Sequence, residues 1–148
     1  MSAPNQGLTY HIETFAPTTI KSVEHLQDLC HDASTSAGWW TDLQNDKPLL
    51  ESAEHAGFRN ELIACKLMLI TSEIGEAMEG LRTNAQDDKL PNRPMMEVEL
   101  ADALIRIFDL AGAMQFDLAG AVQEKLLFNA RRIDHTLAAR AKPHGKKF

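Results

Sequence analysis

Apolar residues recur at steps of three and four through most of the chain, which is the pattern of helices that bury one face. The first clear segment lies at 18–38, where Thr18 or Thr19 can cap the start of a helix and Gly38 can end it. The residues before it, 1–17, are mostly polar, and we expect a loose N-terminus there. The apolar positions of this helix are Ile20, Val23, Leu26, Leu29, Cys30 and Ala33.

The same periodicity predicts three further helices, at 59–84, 94–114 and 117–141. Pro94 suits the first turn of one of them, and Asp117 can cap the start of the last. Residues 38–58 show no clear period, and they predict a long connection with a short helix near 50–56. No segment alternates convincingly as a strand does. The pattern therefore predicts an all-α fold, with four main helices in an antiparallel bundle and one domain over 1–148.

Composition narrows the possible partners. A chain of 148 residues with a net charge of −6 is poorly suited to bind a nucleic-acid polymer, which attracts positive charge. No apolar run approaches the ~20 residues of a membrane span, and the N-terminus has no signal pattern. Cys30 and Cys65 both fall in apolar helical segments, which indicates reduced core thiols. We therefore expect a cytoplasmic protein that does not contact membranes.

A charged stripe runs along the predicted helix at 94–114, which is apolar in most other directions. At 100° per residue, Glu99, Asp102, Arg106 and Asp109 fall within about 80° of one another. The stripe has two interpretations. It is either a narrow solvent face, on which Arg106 pairs with its acidic neighbours, or it faces an internal cleft with Glu99 and Asp102 as metal ligands.

The stretch TSEIGEAMEG, at 71–80, offers a second pair of acids three residues apart, Glu73 and Glu76, at the edge of an apolar stripe. Glu79 turns further away, and we expect it to be solvated. If the two helices pack antiparallel, the pairs meet, and four bare carboxylates would raise one another's pKa. Hard divalent cations relieve that repulsion, because Mg²⁺ and Mn²⁺ prefer oxygen ligands. The acids therefore predict a metal site.

Positive charge is predicted on the last helix, where Lys125, Asn129 and Arg132 fall within about 60° of each other. Such side chains often lie along apolar surface with their heads in water, so the trio alone is weak evidence of function. Beside a metal held by carboxylates, however, Lys and Arg complete the groups that hold and cleave a polyphosphate.

Taken in order, these residues resemble a known family. Glu73-x-x-Glu76, then twenty-two residues, then Glu99-x-x-Asp102 is similar to the E-x-x-E…E-x-x-D signature of the MazG-like all-α nucleoside triphosphate pyrophosphohydrolases. The segment KLLFNARRIDH, at 125–135, looks like that family's K-x-x-x-N-x-x-R. The resemblance spans roughly 60–135. Some relatives double the first Glu, where this chain has Ser72-Glu73.

The resemblance implies hydrolysis of an NTP or dNTP to the monophosphate and pyrophosphate, for nucleotide-pool housekeeping or dNTP depletion. It implies that Glu73, Glu76, Glu99 and Asp102 hold Mg²⁺, with Mn²⁺ as a substitute, and that the 125–132 trio contacts the phosphates or sugar. It also implies a homodimer or homotetramer. A metal can lower the pKa of a bound water, and we assign Glu76, as a hypothesis, to activate that water.

Three more residues are candidate substrate contacts. Trp40, next to Trp39, either packs at a corner or stacks on the base. Lys146 and Lys147, in the basic tail at 142–148, are either solvated or fold over the triphosphate. Two rival functions remain: a non-enzymatic helical oligomerisation module, and a carboxylate di-iron bundle. The second is disfavoured because the chain lacks the Glu-x-x-His motif of that design.

Overall fold

The computed structural model describes residues 6–146, and helices dominate this part of the chain. Two very short strands form the only sheet within these residues. The all-α prediction is therefore confirmed. The elements are α1 (Gln6–Ser36), β1 (Thr41–Asp42), β2 (Lys47–Pro48), α2 (Leu49–His55), α3 (Arg59–Thr83), α4 (Met95–Ala113), α5 (Leu118–Ala130), a 3₁₀ turn (Ile133–His135) and α6 (Leu137–Arg140).

The chain divides into two compact units, which are described separately. The central unit is Leu26–Phe116, and it contains the end of α1 and all elements from β1 to α4. The terminal unit combines Met1–His25 with Asp117–Phe148. No helix among the described residues, including α1 with its 31 residues, has an apolar stretch that could cross a bilayer.

Helices α3 and α4 form the principal packing of the central unit, and their contacts define an antiparallel pair. Gly80, near the end of α3, touches the start of α4, while Glu73 reaches Arg106 near the other end. A Cβ added at Gly80 would lie 2.9 Å from both Met95 Cβ and the backbone nitrogen of Met96, so only glycine permits this approach. Both helices begin and end within one residue of the predicted bounds.

The buried core is small and consists mainly of alanine. Its members are Trp40, Ala53, Ala77, Ala103, Leu110, Ala111, Ala119 and Ala130. Many large apolar side chains stay exposed instead, among them Leu67, Met68, Ile74, Met78 and Leu81 of α3 and Leu104 and Ile105 of α4. The helices therefore show the predicted apolar stripes, but the single chain leaves much of that surface uncovered.

The N-terminal prediction needs correction, because α1 begins at Gln6 and is helical through most of the stretch expected to be loose. The less exposed positions Thr9, Ile12, Ala16 and Thr19 follow steps of three and four, so the amphipathic pattern extends further back than the sequence indicated. Within the terminal unit, Gln123 Nε2 donates to the Ile12 carbonyl at 3.5 Å, which ties this segment to α5.

The segment after α1 is more ordered than a plain connection. Gly38 adopts φ +83°, which ends the helix where the sequence predicted. The β1–β2 hairpin follows, and its turn is held by Asp42, whose carboxylate accepts the backbone N–H of Gln44 and the side-chain amide of Asn45. Strands of two residues are too short to show alternation. The predicted short helix is present as α2.

The last predicted helix is interrupted. Helix α5 ends at Ala130, and Arg132 is extended with ψ 123°. Thr136 then caps α6 by accepting the backbone N–H of Ala139, so polar side chains form local bonds that compete with a continuous helix. The start was predicted correctly, because Asp117 Oδ1 accepts the N–H of Gly120 at 2.7 Å.

Candidate functional site

Three carboxylates meet where α3 and α4 pack. Glu73 and Glu76 come from α3 and Glu99 comes from α4, and each offers an oxygen within 4.8 Å of the others. The i,i+3 spacing places the two α3 acids on one side of that helix, and the antiparallel packing brings Glu99 opposite them. This set of three is called the acid cluster below.

The members of the acid cluster differ in exposure. Glu73 and Glu99 are each 5% exposed, whereas Glu76 is open to solvent. Burial raises the pKa of Glu99 from 4.5 to about 7, assisted by a hydrogen bond with Glu73 and by the negative charges of Glu76, Glu73 and Asp102. The cluster thus concentrates more negative charge than its own side chains can neutralise.

Arg106 partly offsets that charge. Its Nε donates to Glu73 Oε1 at 2.5 Å, across the α3–α4 interface. The Glu73 side chain is almost completely buried, whereas the guanidinium side chain is 42% exposed. Arg106 therefore pairs with an acid of the neighbouring helix, and the interpretation in which it pairs only with acids of its own stripe is wrong.

Asp102 lies beside the acid cluster without being one of its three members. It is exposed, and its negative charge contributes to the raised pKa of Glu99. Its carboxylate lines the pocket described next. Its predicted role as the fourth ligand stays a prediction. Because Glu99 and Asp109 are buried, the α4 stripe is not a plain solvent face.

A pocket of about 380 Å³ adjoins the acid cluster on the side of Arg106. It lies within the central unit, between the end of α1 and the facing sides of α3 and α4. Its walls combine apolar groups with charges of both signs. The lining residues are Cys30, Ala33, Ser34, Ala37, Trp39, Lys66, Leu69, Asp102, Ile105, Arg106 and Asp109.

Asp109 organises one wall of this pocket. Its Oδ1 accepts Trp40 Nε1–H at 2.6 Å and lies 3.0 Å from His31 Nδ1, and its Oδ2 accepts the hydroxyl of Ser34 at 2.9 Å. Gly112, one turn further along α4, allows the approach of α1, since an added Cβ would lie 2.6 Å from His31 Cβ. A buried acid thus connects α4 to α1 and to the segment after it.

The two tryptophans have separate environments. Trp40 is buried, donates to Asp109 and lies under Lys66 Nζ, 4.2 Å from the ring centroid. This burial favours the packing alternative for Trp40. Trp39 is 69% exposed and lines the pocket, so it is the tryptophan with a ring open to a ligand. Burial is also the main cause that lowers the pKa of Lys66, and the positive charge of Arg106 adds to it.

The two cysteines differ in exposure. Both are free thiols, Cys30 half-buried and Cys65 exposed, so the prediction of a core position is wrong for Cys65. Burial and the charge of Asp109 raise the pKa of the Cys30 thiol, which disfavours the nucleophilic thiolate.

The predicted phosphate contacts lie in the terminal unit. Lys125 and Asn129 are on α5, with Lys125 Nζ 4.9 Å from the centroid of the Phe128 ring. Arg132 lies beyond the end of α5, so the predicted common helical face does not include it. Its guanidinium pairs with Asp134 at 2.7 Å instead. The role of these residues toward phosphate stays a prediction.

The tail is bound to the same acid. Lys146 Nζ lies 3.0 Å from Asp134 Oδ2, and both cations lower the pKa of Asp134. Lys147 lies outside the described residues. Glu79 is exposed and pairs with Arg82 on its own helix, as expected of a solvated acid.

Sequence reasoning missed the pocket and most of the residues around it. Arg106 and Asp109 were visible as part of the α4 stripe, but their partners come from other elements. Lys66, His31 and Ser34 carried no signal that distinguishes them from ordinary polar positions on a helix.

The acid cluster suits a hard divalent cation. Oxygen ligands lie about 2.0–2.6 Å from Mg²⁺ or Ca²⁺, so the ligands of one ion are at most about 4–5 Å apart, as these three are. Comparison with protein-family models, with curated proteins and with solved structures gives no match. The case for function therefore rests on the site and on the signature residues.

Proposed function

We propose that this protein is a divalent-metal-dependent hydrolase that converts a nucleoside or deoxynucleoside triphosphate to the monophosphate and pyrophosphate. The observation that supports it most is the convergence of three signature carboxylates within 4.8 Å, two of them buried. Buried acids at this distance are costly unless a cation neutralises them. The family resemblance supplies the reaction, and a cytoplasmic location is part of the proposal.

Each acidic residue has a role in this proposal. Glu73, Glu76 and Glu99 hold Mg²⁺ or Mn²⁺, and Asp102 completes the set from the edge of the pocket. When bound, the ion supplies charge stabilisation to the phosphate oxygens and lowers the pKa of water. Glu76 is the exposed member of the acid cluster, so it is the carboxylate best placed to orient an attacking water.

The adjoining pocket is the proposed place for the nucleoside. Its volume of about 380 Å³ falls in the range of small-molecule sites, and it is lined by Asp102 and Arg106, which lie beside the acid cluster. The exposed ring of Trp39 offers a stacking surface for a base. Lys125, Asn129 and Arg132 stay assigned to the phosphates or sugar on the strength of the family resemblance.

A substrate panel tests the proposal. The purified protein is incubated with the common NTPs and dNTPs and Mg²⁺ or Mn²⁺, and the products are separated by anion exchange. We expect a monophosphate and pyrophosphate from at least one nucleotide, and no activity with EDTA. Release of a diphosphate and a single phosphate would contradict the proposed reaction.

A pair of variants connects the activity to the acid cluster. Glu76→Gln removes the charge of the water-facing acid, and we expect at least a 100-fold loss of activity, in the range typical of general bases. Glu79→Gln is the matched control, because it makes the same change three residues later on the exposed face of α3. Equal loss in both variants would argue against a specific role.

Homo-oligomerisation is part of the same proposal. The exposed apolar residues of α3 and α4 are a suitable interface for a second copy of the chain. That copy would cover the large apolar side chains that the small alanine core does not bury.

Sedimentation velocity tests this part. We expect a dimer or tetramer, and we expect Met78→Glu on α3, where Met78 is 63% exposed, to shift the protein to smaller species. A monomeric parent would refute the oligomer. The rival function, a non-enzymatic oligomerisation module, predicts the same assembly but no rise in melting temperature with Mg²⁺.

A further inference from the structure

Arg106 is shared between the two parts of the site. Its Nε donates to the buried Glu73 of the acid cluster, while its side chain also lines the pocket. The Arg106 side chain is 42% exposed, whereas that of Glu73 is almost completely buried. Arg106 therefore contacts a proposed metal ligand, Glu73, and also borders the open pocket.

The ion pair with Arg106 engages one of the two oxygens of Glu73, a carboxylate that the proposed function assigns to the metal. A divalent ion and a guanidinium at the same carboxylate repel each other, so binding of the ion favours release of Arg106. A released guanidinium stays within reach of the pocket, where Lys66 already supplies a second positive charge and Asp109 is committed to His31, Ser34 and Trp40.

An anionic ligand is the partner that best fits a released guanidinium. Planar guanidinium groups bind phosphate oxygens in a bidentate manner, and they do so more strongly where solvent is partly excluded. Asp102, four residues earlier on α4, also lines the pocket, but it is exposed and is assigned to the metal in the proposed function. A triphosphate bridging the ion and the pocket would pass directly beside Arg106.

We propose that Arg106 changes partner during ligand binding: it neutralises Glu73 in the metal-free protein and moves to a phosphate oxygen of the nucleotide once a divalent cation holds Glu73. Arg106 thereby keeps the acid cluster folded while empty and makes nucleotide binding depend on metal. This inference rests on the proposed function, and it adds a phosphate-positioning residue that lies outside the signature motifs.

Two binding measurements on Arg106→Gln test the exchange. Isothermal titration calorimetry with Mn²⁺ alone should show metal binding about 5- to 10-fold tighter than in the parent, because the competing cation is gone. With Ca²⁺ present and a non-hydrolysable α,β-methylene triphosphate as probe, binding should be about 10- to 100-fold weaker, as expected for loss of a charge-assisted hydrogen bond. A purely structural Arg106 would change metal binding without weakening the nucleotide.

Two controls accompany the test. Arg93→Gln removes an exposed arginine that pairs with Glu97 near the start of α4, and it should leave both affinities unchanged. Arg106→Lys keeps the charge without the planar fork, and it should restore metal affinity to near the parent value while recovering only part of the nucleotide affinity. Melting temperatures without metal show whether each variant folds. On addition of Mn²⁺, the melting temperature of Arg106→Gln should rise by more than that of the parent.

The outcomes distinguish the partner exchange of Arg106 from the proposed hydrolase function. If the parent hydrolyses nucleotides but Arg106→Gln binds metal and nucleotide as the parent does, the exchange is refuted and the hydrolase stands. If the parent binds metal and the analogue with the predicted changes in Arg106→Gln, yet no triphosphate is turned over, the exchange stands without the proposed reaction. If the parent binds no divalent cation, both are refuted.

Discussion

Glu99 is the carboxylate whose replacement should change the metal-free and the metal-bound protein in opposite directions. It is 5% exposed, and its pKa is raised to about 7, chiefly by burial. The change Glu99→Gln keeps the shape, leaves an amide that can donate to Glu73, and removes the charge. Metal-free protein with this change should lack the penalty of ionising a buried acid.

The sign follows from proton binding. Between pH 4.5 and about 7 the folded parent holds a proton on Glu99 that the unfolded chain has released, so the parent loses stability as the pH rises through this window. The pKa difference corresponds to at most about 3 kcal/mol, at roughly 1.4 kcal/mol per pKa unit. Water reaches the acid cluster beside the exposed Glu76 and screens part of the charge repulsion. The expected destabilisation of the parent is therefore about 1–2 kcal/mol.

Thermal unfolding with EDTA at pH 4.5 and pH 8, at one protein concentration, measures the effect. We expect equal melting temperatures at pH 4.5 and a variant more stable by about 2–8 °C at pH 8, given about 2–4 °C per kcal/mol for a chain of this size. With excess Mg²⁺ at pH 8 the order should reverse, because the parent has the additional ligand.

The matched control is Glu97→Gln, an exposed acid two residues earlier on α4 that pairs with Arg93. It should show neither the pH dependence nor the reversal. If Glu99→Gln proves less stable than the parent at pH 8 without metal, the reasoning fails, since Glu99 would then stabilise the fold as an ionised partner.

Other predictions concern the packing around the site. Asp109→Asn should cost about 2–4 kcal/mol in urea unfolding, because the charge is lost and one of the two oxygens, which accept from Trp40 and Ser34, becomes an amide donor; a change below about 0.5 kcal/mol would contradict its central role. Gly112→Ala should destabilise by about 1–2 kcal/mol, since the clash with His31 outweighs the helix propensity of alanine, and a net gain in melting temperature would show that α1 yields easily. Asp117→Ala should cost about 1 kcal/mol through the lost N-cap, and Asp117→Asn should not.

Local signals in the sequence were enough to locate α3 and α4 within one residue at each end. Long apolar periods between clear breaks leave little ambiguity, because a helix must present one face to its neighbours. The same signals failed at the start of α1 and at Arg132, where short-range polar bonds and packing within the terminal unit compete with weak periodicity. The hairpin at Thr41–Asp42 and Lys47–Pro48 was too short to leave a pattern.

Helical spacing within one segment placed Glu73 beside Glu76, and identified the charged stripe to which Glu99 and Arg106 belong. It predicted that the two acid pairs meet only on the condition that the helices pack antiparallel, and it did not say which partner Arg106 takes. The Arg106–Glu73 bond joins residues 33 positions apart, and the His31–Asp109 contact joins residues 78 apart. Such pairs depend on the register and rotamers of packed helices, which are set by contacts among many side chains at once, whereas periodicity reports only the orientation of a residue on its own helix.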